Sequence, residues 1–180
     1  MTGEEIVMQA RNASRSFDES FKDEKVCKKF SGAVTVELIK RALAEEGIPT
    51  SARDVFIKGI PVEIDLVVPF REEEPSFSIL YEPRQVAVAL EVKKLGVWGK
   101  DDLDKLQKNF GLLRKLGVTC AYVSLEDGLN YRWKVSEQSL GFPCFTFAWL
   151  KGKAVERTQD WHGLLTFLRH CMSVPSAAVT

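Results

Sequence analysis

The sequence has few histidines, no long apolar run and no excess of charge of either sign. Its 180 residues include only two histidines, which excludes zinc sites built from three of them. Lys plus Arg and Asp plus Glu both total 25, so the net charge is zero. No overall basic field therefore favours a nucleic acid or a membrane surface, and any such binding must depend on local patches.

Targeting and disulfide signals are also missing. No stretch of eighteen consecutive apolar residues occurs, and the first residues lack the basic start and apolar run of a signal peptide. The four cysteines, Cys27, Cys120, Cys144 and Cys171, are widely spaced and form no C-x-x-C motif. This spacing favours reduced thiols, so we expect a cytoplasmic protein with no membrane partner.

The composition is that of one folded domain. Hydrophobic residues make up 45% of the chain and charged residues 28%, which excludes a disordered chain. A chain of this mass can bury about 70% of its unfolded surface. We expect a single domain over 1–180, with a helical extension over about 4–30, a core over about 32–150 and a frayed tail over 174–180.

The spacing of apolar residues predicts alternating helices and strands. After one or two helices before a break at Ser31-Gly32, further helices are expected at 33–46, 103–116 and 161–172. Strands are expected at 54–58, 61–69, 77–81, 85–93, 118–125 and 142–150, and the first two should form a hairpin around Gly59. This order predicts an α/β fold with a small mixed sheet flanked by helices.

Charged residues interrupt the apolar pattern of two strands. Alternation puts the even-numbered residues of 62–68 on one face, and Glu63 and Asp65 on the other. It likewise puts the even-numbered residues of 86–93 on one face. The opposite face carries the odd-numbered residues, which are Ala87, Ala89, Glu91 and Lys93. If the two strands are neighbours, Asp65, Glu91 and Lys93 can converge, and the alanines leave room for a closely packed helix.

Converging carboxylates favour a bound cation. Like charges raise each other's pKa unless a cation compensates them. Mg²⁺ takes oxygen ligands, commonly one or two carboxylates together with waters and substrate phosphates. The Lys93 ammonium could orient an attacking water or neutralise charge on a phosphate. The cluster therefore predicts hydrolysis of phosphodiester bonds.

Ile64-Asp65, followed by Glu91-Val92-Lys93, resembles the motif of the PD-(D/E)XK, or restriction-endonuclease-like, nucleases. The order of helix, three strands, helix and strand over about 32–125 is similar to that family's core. The resemblance implies a restriction-endonuclease-like core and a metal-dependent endonuclease. It also implies Mg²⁺ or Mn²⁺ as the cofactor and nucleic acid, most often DNA, as the partner.

The resemblance also implies roles for individual residues. Asp65 and Glu91 would be metal ligands, Lys93 the catalytic lysine, and the main-chain carbonyl of Val92 an additional ligand. The residue before Asp65 is isoleucine where the motif has proline.

Other assignments stay open. Glu63 competes with Asp65 as a ligand. Glu37 is the candidate for a glutamate on the first helix of the family core, although an exposed helix charge explains it equally well. Gln107 is the candidate for a glutamine on the helix after E-x-K, but its place at the border of the apolar stripe better fits an exposed residue.

Nucleic-acid contacts are expected just after the E-x-K strand. Trp98 could stack on a base, and Lys94 and Lys100 could contact phosphates. Anchoring in the core explains Trp98 equally well.

Two readings compete with an active nuclease. The fold could serve, without catalysis, as a nucleic-acid-binding or scaffolding subunit of a larger complex. Alternatively, Glu91 and Lys93 could be a surface ion pair on the solvent-exposed face of a sheet.

Because the net charge is zero, we expect a homodimer or a partner subunit to complete any binding surface. G-x-S-x-G and P-loop motifs are absent from the sequence.

Overall fold

The computed structural model describes residues 1–70, 75–96, 100–131 and 137–173, with the side chains of Lys100, Tyr131, Gln138 and Ser139 left undescribed. The helices in these ranges are α1 (Gly3–Ser20), α2 (Glu24–Glu45), α3 (Lys100–Lys115), α4 (Glu137–Leu140) and α5 (Asp160–Ser173). The strands are β1 (Val55–Ile57), β2 (Glu63–Ile64), β3 (Leu66–Pro69), β4 (Leu80–Tyr81), β5 (Val86–Leu95), β6 (Thr119–Gly128), β7 (Cys144–Lys151) and β8 (Ala154–Arg157).

The strands form two mixed sheets. The larger has the order β3-β5-β6-β7-β8, in which β5, β6 and β7 are parallel and both edge strands are antiparallel to their neighbours. The smaller has the order β2-β1-β4, with β1 antiparallel to β2 and parallel to β4. Helices flank the larger sheet, which confirms the predicted α/β class.

Two apolar clusters lie on opposite faces of the larger sheet. On one face, Ile6 of α1, Ile39 of α2 and Leu164 of α5 pack with residues of β5. On the other face, Phe110 of α3 packs in the same cluster as Ala89 of β5. Since each half of the chain supplies residues to both clusters, burial of these side chains fixes the sheet between its helices.

The predicted hairpin is confirmed, but the single strand predicted over 61–69 is wrong. The strand ends at Ile64, Asp65 lies in a bend, and Leu66 begins a strand of the other sheet. Ile64 therefore packs on the α3 side of the larger sheet, whereas Leu66 and Val68 pack on the opposite side. Passing from one sheet to the other breaks the alternation that a continuous strand would keep.

The start of β5 also departs from the predicted alternation. Val86 packs on the α3 side and Ala87 on the opposite side, the reverse of the expectation. The cause is a register shift, because consecutive residues of β3 pair with Val88 and then with Val86. The extra residue reverses the facing at this point, and the predicted alternation holds from Val88 onward.

The predicted break at Ser31-Gly32 is wrong, since α2 continues through it. The Thr35 hydroxyl donates to the Ser31 carbonyl at 2.8 Å, and the Ser31 hydroxyl donates to that of Ser14 in α1 at 3.0 Å. The rings of Phe17 and Phe30 stack with their centroids 3.8 Å apart. Packing against α1 therefore stabilises α2 where its own sequence is weakly helical.

The N-terminal helix α1 packs into the domain. Ile6, Val7 and Ala10 are buried in the cluster that α2 and α5 share. Arg11 forms an ion pair with Glu126 of β6, whose side chain is only 6% exposed. α1 is thus joined to the sheet by apolar contacts and by a nearly buried charge.

The other predicted elements are present as α3, α5, β4, β6 and β7. Gly47 and Gly117 follow α2 and α3 with φ of +70° and +74°, the conformation typical of glycine at a helix end. The sequence did not predict β8, and the predicted frayed tail over 174–180 lies outside the described residues. No helix in the described part of the chain is long and apolar enough to cross a membrane.

Candidate active site

The two sheets meet at Asp65. The Asp65 Oδ2 atom accepts a hydrogen bond of 2.8 Å from the Val92 main-chain N–H. The main-chain carbonyl of Asp65 accepts a second one, of 3.3 Å, from the main-chain N–H of Asp54. The pairing of β3 with β5 ends at Leu66 and Leu90. The Asp65 carboxylate therefore takes the N–H of Val92 that a longer β3 could have bonded, which fixes the carboxylate beside β5.

The structure brings Asp65, Glu91 and Lys93 together. The Lys93 Nζ atom lies 2.6 Å from Glu91 Oε1 and 3.5 Å from Asp65 Oδ2. The two carboxylates are about a quarter exposed, and the Lys93 side chain is 42% exposed. The cluster is therefore open to a ligand yet partly shielded from bulk water, which strengthens its interactions with charge.

Burial and mutual repulsion act on the charges of this cluster. Burial is the main reason that the pKa of Glu91 is raised, and the charge of Asp65 raises it further, while Lys93 and Lys105 oppose the shift. Burial lowers the pKa of Lys93, but the charges of Glu91 and Asp65 outweigh burial and hold it above its ordinary value. Lys93 is therefore positively charged at neutral pH and compensates its two neighbours.

Two concave surfaces open at Lys93. The first, which we call the α3 chamber, has a volume of about 270 Å³ and lies between α3 and the strands β5 and β6. Its lining residues are Glu91, Lys93, Asp102, Leu103, Lys105, Leu106, Asn109 and Tyr122.

The second concave surface, which we call the α2 groove, has a volume of about 770 Å³. It lies between α2, the turn before β1 and the Asp65 bend, and its polar and charged lining residues are Lys29, Arg53, Asp54, Glu63, Asp65, Lys93 and Lys94. The α2 groove therefore reaches Asp65, whereas the α3 chamber reaches Glu91, and Lys93 belongs to both.

Two further candidates, Glu63 and Lys94, lie near the cluster. Glu63 is exposed in β2 and lines the α2 groove together with Asp65. Lys94 lines the same groove. The carboxylate bonded to Val92 is that of Asp65, so the geometry favours Asp65 over Glu63 as the principal ligand.

The remaining candidates are placed elsewhere. Glu37 is exposed and lines a different groove, shared with the residues at 40–41, 44 and 47–50. Gln107 is exposed on α3 and is not among the described residues that line the α3 chamber. Trp98 lies outside the described residues, and Lys100 begins α3 with its side chain undescribed.

Apart from Glu91 and Lys93, the sequence prediction named none of the residues that line the α3 chamber as site residues. Asp102, Lys105 and Asn109 follow one another on α3 at intervals of three and four residues, so they share one helix face. Gln107 lies off that face. The sequence reveals this helical spacing, but it does not reveal that this face lines a chamber. Tyr122 lies opposite Glu91 in the parallel pairing of β5 with β6, a register that the sequence does not reveal.

The oxygen atoms of the cluster fit a hard divalent ion. Asp65 and Glu91 offer two carboxylates, and the N–H of Val92 points to the edge of β5 where Asp65 lies. The N–H and C=O of one strand residue face the same edge, so we expect the Val92 carbonyl to face it as well. Two carboxylates completed by waters and a phosphate are typical of Mg²⁺. Among the described residues, no group of three or more His, Cys, Asp or Glu is arranged to hold a metal ion, so an ion here would have only these two carboxylates as side-chain ligands.

No protein-family model and no curated protein matches this chain. Solved structures do match, including the following two. NucC of P. aeruginosa ATCC27853 in its cAAA-bound form is 10% identical, with a TM-score of 0.63, and the match covers 97% of this chain and 92% of that one. NucC of E. coli MS115-1, also cAAA-bound, is 13% identical, with a TM-score of 0.64 and coverage of 97% and 91%.

NucC is a PD-(D/E)XK-type nuclease. This chain has the restriction-endonuclease-like fold. The fold expected from the Asp65 and E-x-K motifs and from the element order is thereby confirmed. Identities of 10–13% establish the fold alone.

Proposed function

We propose that the chain is a metal-dependent nuclease that hydrolyses phosphodiester bonds, with DNA as its substrate. The observation that carries the proposal is the contact of the Lys93 ammonium with both the Asp65 and Glu91 carboxylates, where the two concave surfaces of a nuclease-like fold meet.

Each residue of the cluster has a distinct part in the proposed mechanism. Asp65 and Glu91, with the Val92 carbonyl, would hold Mg²⁺ or Mn²⁺, which when bound polarises a phosphoryl oxygen and lowers the pKa of a coordinated water. The Lys93 ammonium can donate to an oxygen of the scissile phosphate and stabilise the charge that develops there. The Val92 N–H keeps the Asp65 carboxylate in place.

The α2 groove offers a path for the phosphate backbone. Lys29 and Lys94 line it, and so does Lys93, which belongs to the cluster. Contacts with phosphates position a nucleic acid without reading its sequence. Because the chain has no net positive charge, we infer modest non-specific affinity and a second copy or partner subunit that completes the binding surface.

The test is cleavage of labelled duplex, branched and single-stranded DNA, and of RNA, with Mg²⁺ or Mn²⁺. The wild type should cleave at least one substrate only when metal is present. Lys93→Ala and Asp65→Ala should each lower the rate by about 100-fold or more, since each removes charge from the reacting centre. Lys153→Ala, an exposed lysine between β7 and β8, is the matched control and should keep the wild-type rate. Failure of the folded wild type to cleave any substrate with either metal contradicts the proposal.

One observation favours a second candidate function, that of a catalytically inactive nucleic-acid-binding or scaffolding subunit. Lys93 already compensates both carboxylates, so the cluster could persist as an ion pair without metal. Metal binding separates the two candidates, because a ligand at 100 times its Kd stabilises a protein by about 2.7 kcal/mol. The nuclease should gain stability with Mg²⁺ or Mn²⁺ and lose the gain in Asp65→Asn, whereas the inactive subunit should show no gain.

A further inference from the structure

The α3 chamber contains more than a metal-dependent reaction requires. Glu91 and Lys93 line it, and so do three polar residues of α3: Asp102, Lys105 and Asn109. Tyr122 is 3% exposed, whereas Asp102 is exposed to solvent. The chamber therefore has both buried and exposed lining residues, and it includes two residues of the proposed reaction centre.

Its charge and size are those of a site for a small neutral group. The carboxylates of Glu91 and Asp102 balance the ammonium groups of Lys93 and Lys105, so the described lining residues carry no net charge. A second phosphate would be favoured by an excess of cations, which these described residues do not supply. Its volume of about 270 Å³ lies just below the range typical of drug-sized ligands, which suits one flat heterocycle of the size of a nucleobase.

The walls combine apolar surface with groups that can read a base edge. Leu103 is half-buried and Leu106 is 8% exposed, so both can contact the faces of a flat ring. The Asn109 amide offers a donor and an acceptor, and the Asp102 carboxylate offers acceptors. Apolar walls with a few convergent polar groups are typical of sites that bind flat ligands.

We propose that the α3 chamber binds one nucleobase of the substrate, that of a nucleotide next to the scissile phosphate. The inference rests on the proposed function and adds to it. A base inside the chamber has left its stack, so the nucleotide is either single-stranded or flipped out of a duplex.

The polar groups predict which bases fit. The amino group of adenine, cytosine or guanine can donate to the Asp102 carboxylate or to the Asn109 carbonyl. Thymine has two carbonyls on its pairing edge and offers fewer donors. A well-made pair of hydrogen bonds discriminates between bases by about tenfold or more, so thymine should be disfavoured at one position beside the cut.

The first experiment maps cleavage sites on a substrate with randomised sequence. Wild type should cut with thymine depleted about tenfold at one position flanking the cut. Asn109→Ala should remove that preference, and Leu103→Phe, which fills the chamber, should raise KM more than it lowers kcat. Asp104→Ala is the control, since Asp104 is exposed on the same helix and does not line the chamber as described. It should keep the wild-type pattern. Cutting that ignores the flanking base, or a preference unchanged in Asn109→Ala, overturns the inference.

The second experiment does not depend on cleavage. Oligonucleotides that each carry one 2-aminopurine, at successive positions along the strand, are mixed with the wild type without divalent metal, and fluorescence reports whether the base leaves its stack. We expect a severalfold rise with the wild type and with Asp104→Ala, and a smaller rise with Leu103→Phe. Absence of a rise while the oligonucleotide is bound overturns the base site. Absence of any cleavage in the first experiment would instead count against the proposed function.

Discussion

At the scale of single residues, Lys93 makes it possible for Asp65 and Glu91 to lie side by side. Its removal leaves two half-buried carboxylates without their shared cation, so Lys93→Ala should lower the free energy of unfolding by about 1–2 kcal/mol. The same substitution should cost less in an Asp65→Asn background, because one carboxylate is already neutral. Urea unfolding of the four proteins at neutral pH measures this coupling. An equal loss in both backgrounds would show that Lys93 does not act through Asp65.

Two thiols shielded from water, the buried Cys120 and the half-buried Cys144, make the stability of the protein sensitive to alkaline pH. Burial raises the pKa of Cys120 and Cys144 to about 12, from an ordinary value of 9.0. Between these values the folded protein keeps protons that the unfolded chain releases, so stability falls as pH rises through this window. Each thiol contributes a slope of up to about 1.4 kcal/mol per pH unit.

Replacing both thiols by alanine should therefore flatten the dependence of the free energy of unfolding on pH between 9 and 11. Cys120→Ala alone should give about half of that change. The measurement is urea unfolding at several pH values, from which the slope of the free energy of unfolding against pH is compared between the proteins. The cavity that alanine leaves lowers the free energy by the same amount at every pH, so it does not change this slope. A slope unchanged in the double variant would count against ionisation of these thiols as its cause.

The residues of the cluster differ in how far the sequence reveals them. Asp65, Glu91 and Lys93 could be singled out because each is a charge in an otherwise apolar strand. Tyr122 and Asn109 could not, since an aromatic in a strand and an amide on a helix have ordinary explanations. Gln107 was a candidate for which an exposed position was the better explanation, and it is exposed, because the face of α3 that carries Asn109 is the one that lines the α3 chamber.

At the scale of secondary-structure elements, Ser51 completes the outer edge of the larger sheet. Its main-chain N–H donates to the Val67 carbonyl at 2.8 Å, and its hydroxyl accepts from the Val67 N–H at 2.9 Å. Ser51→Ala should therefore leave a buried N–H of β3 without its partner and lower the free energy of unfolding by about 1–3 kcal/mol. Ser20→Ala, at an exposed helix end, should change it by less than about 0.5 kcal/mol. Thermal and urea unfolding compare the two, and equal effects would contradict this role of Ser51.

The contact of α1 with the sheet depends on Arg11. Arg11→Met keeps the apolar part of the side chain but leaves the buried carboxylate of Glu126 without its cation, which should cost about 2–4 kcal/mol. The matched control is Arg157→Met, because Arg157 pairs with Glu4 at an exposed site and its loss should cost less than about 1 kcal/mol. Urea unfolding measures both changes. A cost for Arg11→Met as small as that of the control would show that the Glu126 pair does not anchor α1.

Element order could be predicted from the sequence, whereas changes of sheet and register could not. Apolar periodicity placed β5, α3, β6, β7 and α5 close to their observed bounds. It could not show that the chain passes between two sheets at Asp65, because a continuous strand and a broken one have the same alternating letters. It also overestimated Ser31-Gly32 as a break, since contacts with α1 outweigh a weak local propensity.

At the scale of the whole molecule, the fold brings the two sheets together at the Asp65 bend, and the proposed chemistry depends on this contact between them. Glu91 and Lys93 come from the larger sheet, and Asp65 lies in the bend that joins it to the smaller one. The overall fold was predictable because strand and helix order are encoded locally. The α3 chamber and the α2 groove were not, because each depends on contacts between distant parts of the chain.

If Asp65, Glu91 and Lys93 form one catalytic centre, their contributions to the rate cannot be additive. The most direct test is the single-turnover cleavage rate of Asp65→Asn, Glu91→Gln, Lys93→Ala and the triple variant, each checked for folding. The account predicts that every single variant loses at least about 100-fold and that the triple variant is little worse than the worst of them. A folded single variant that cleaves at the wild-type rate would contradict it.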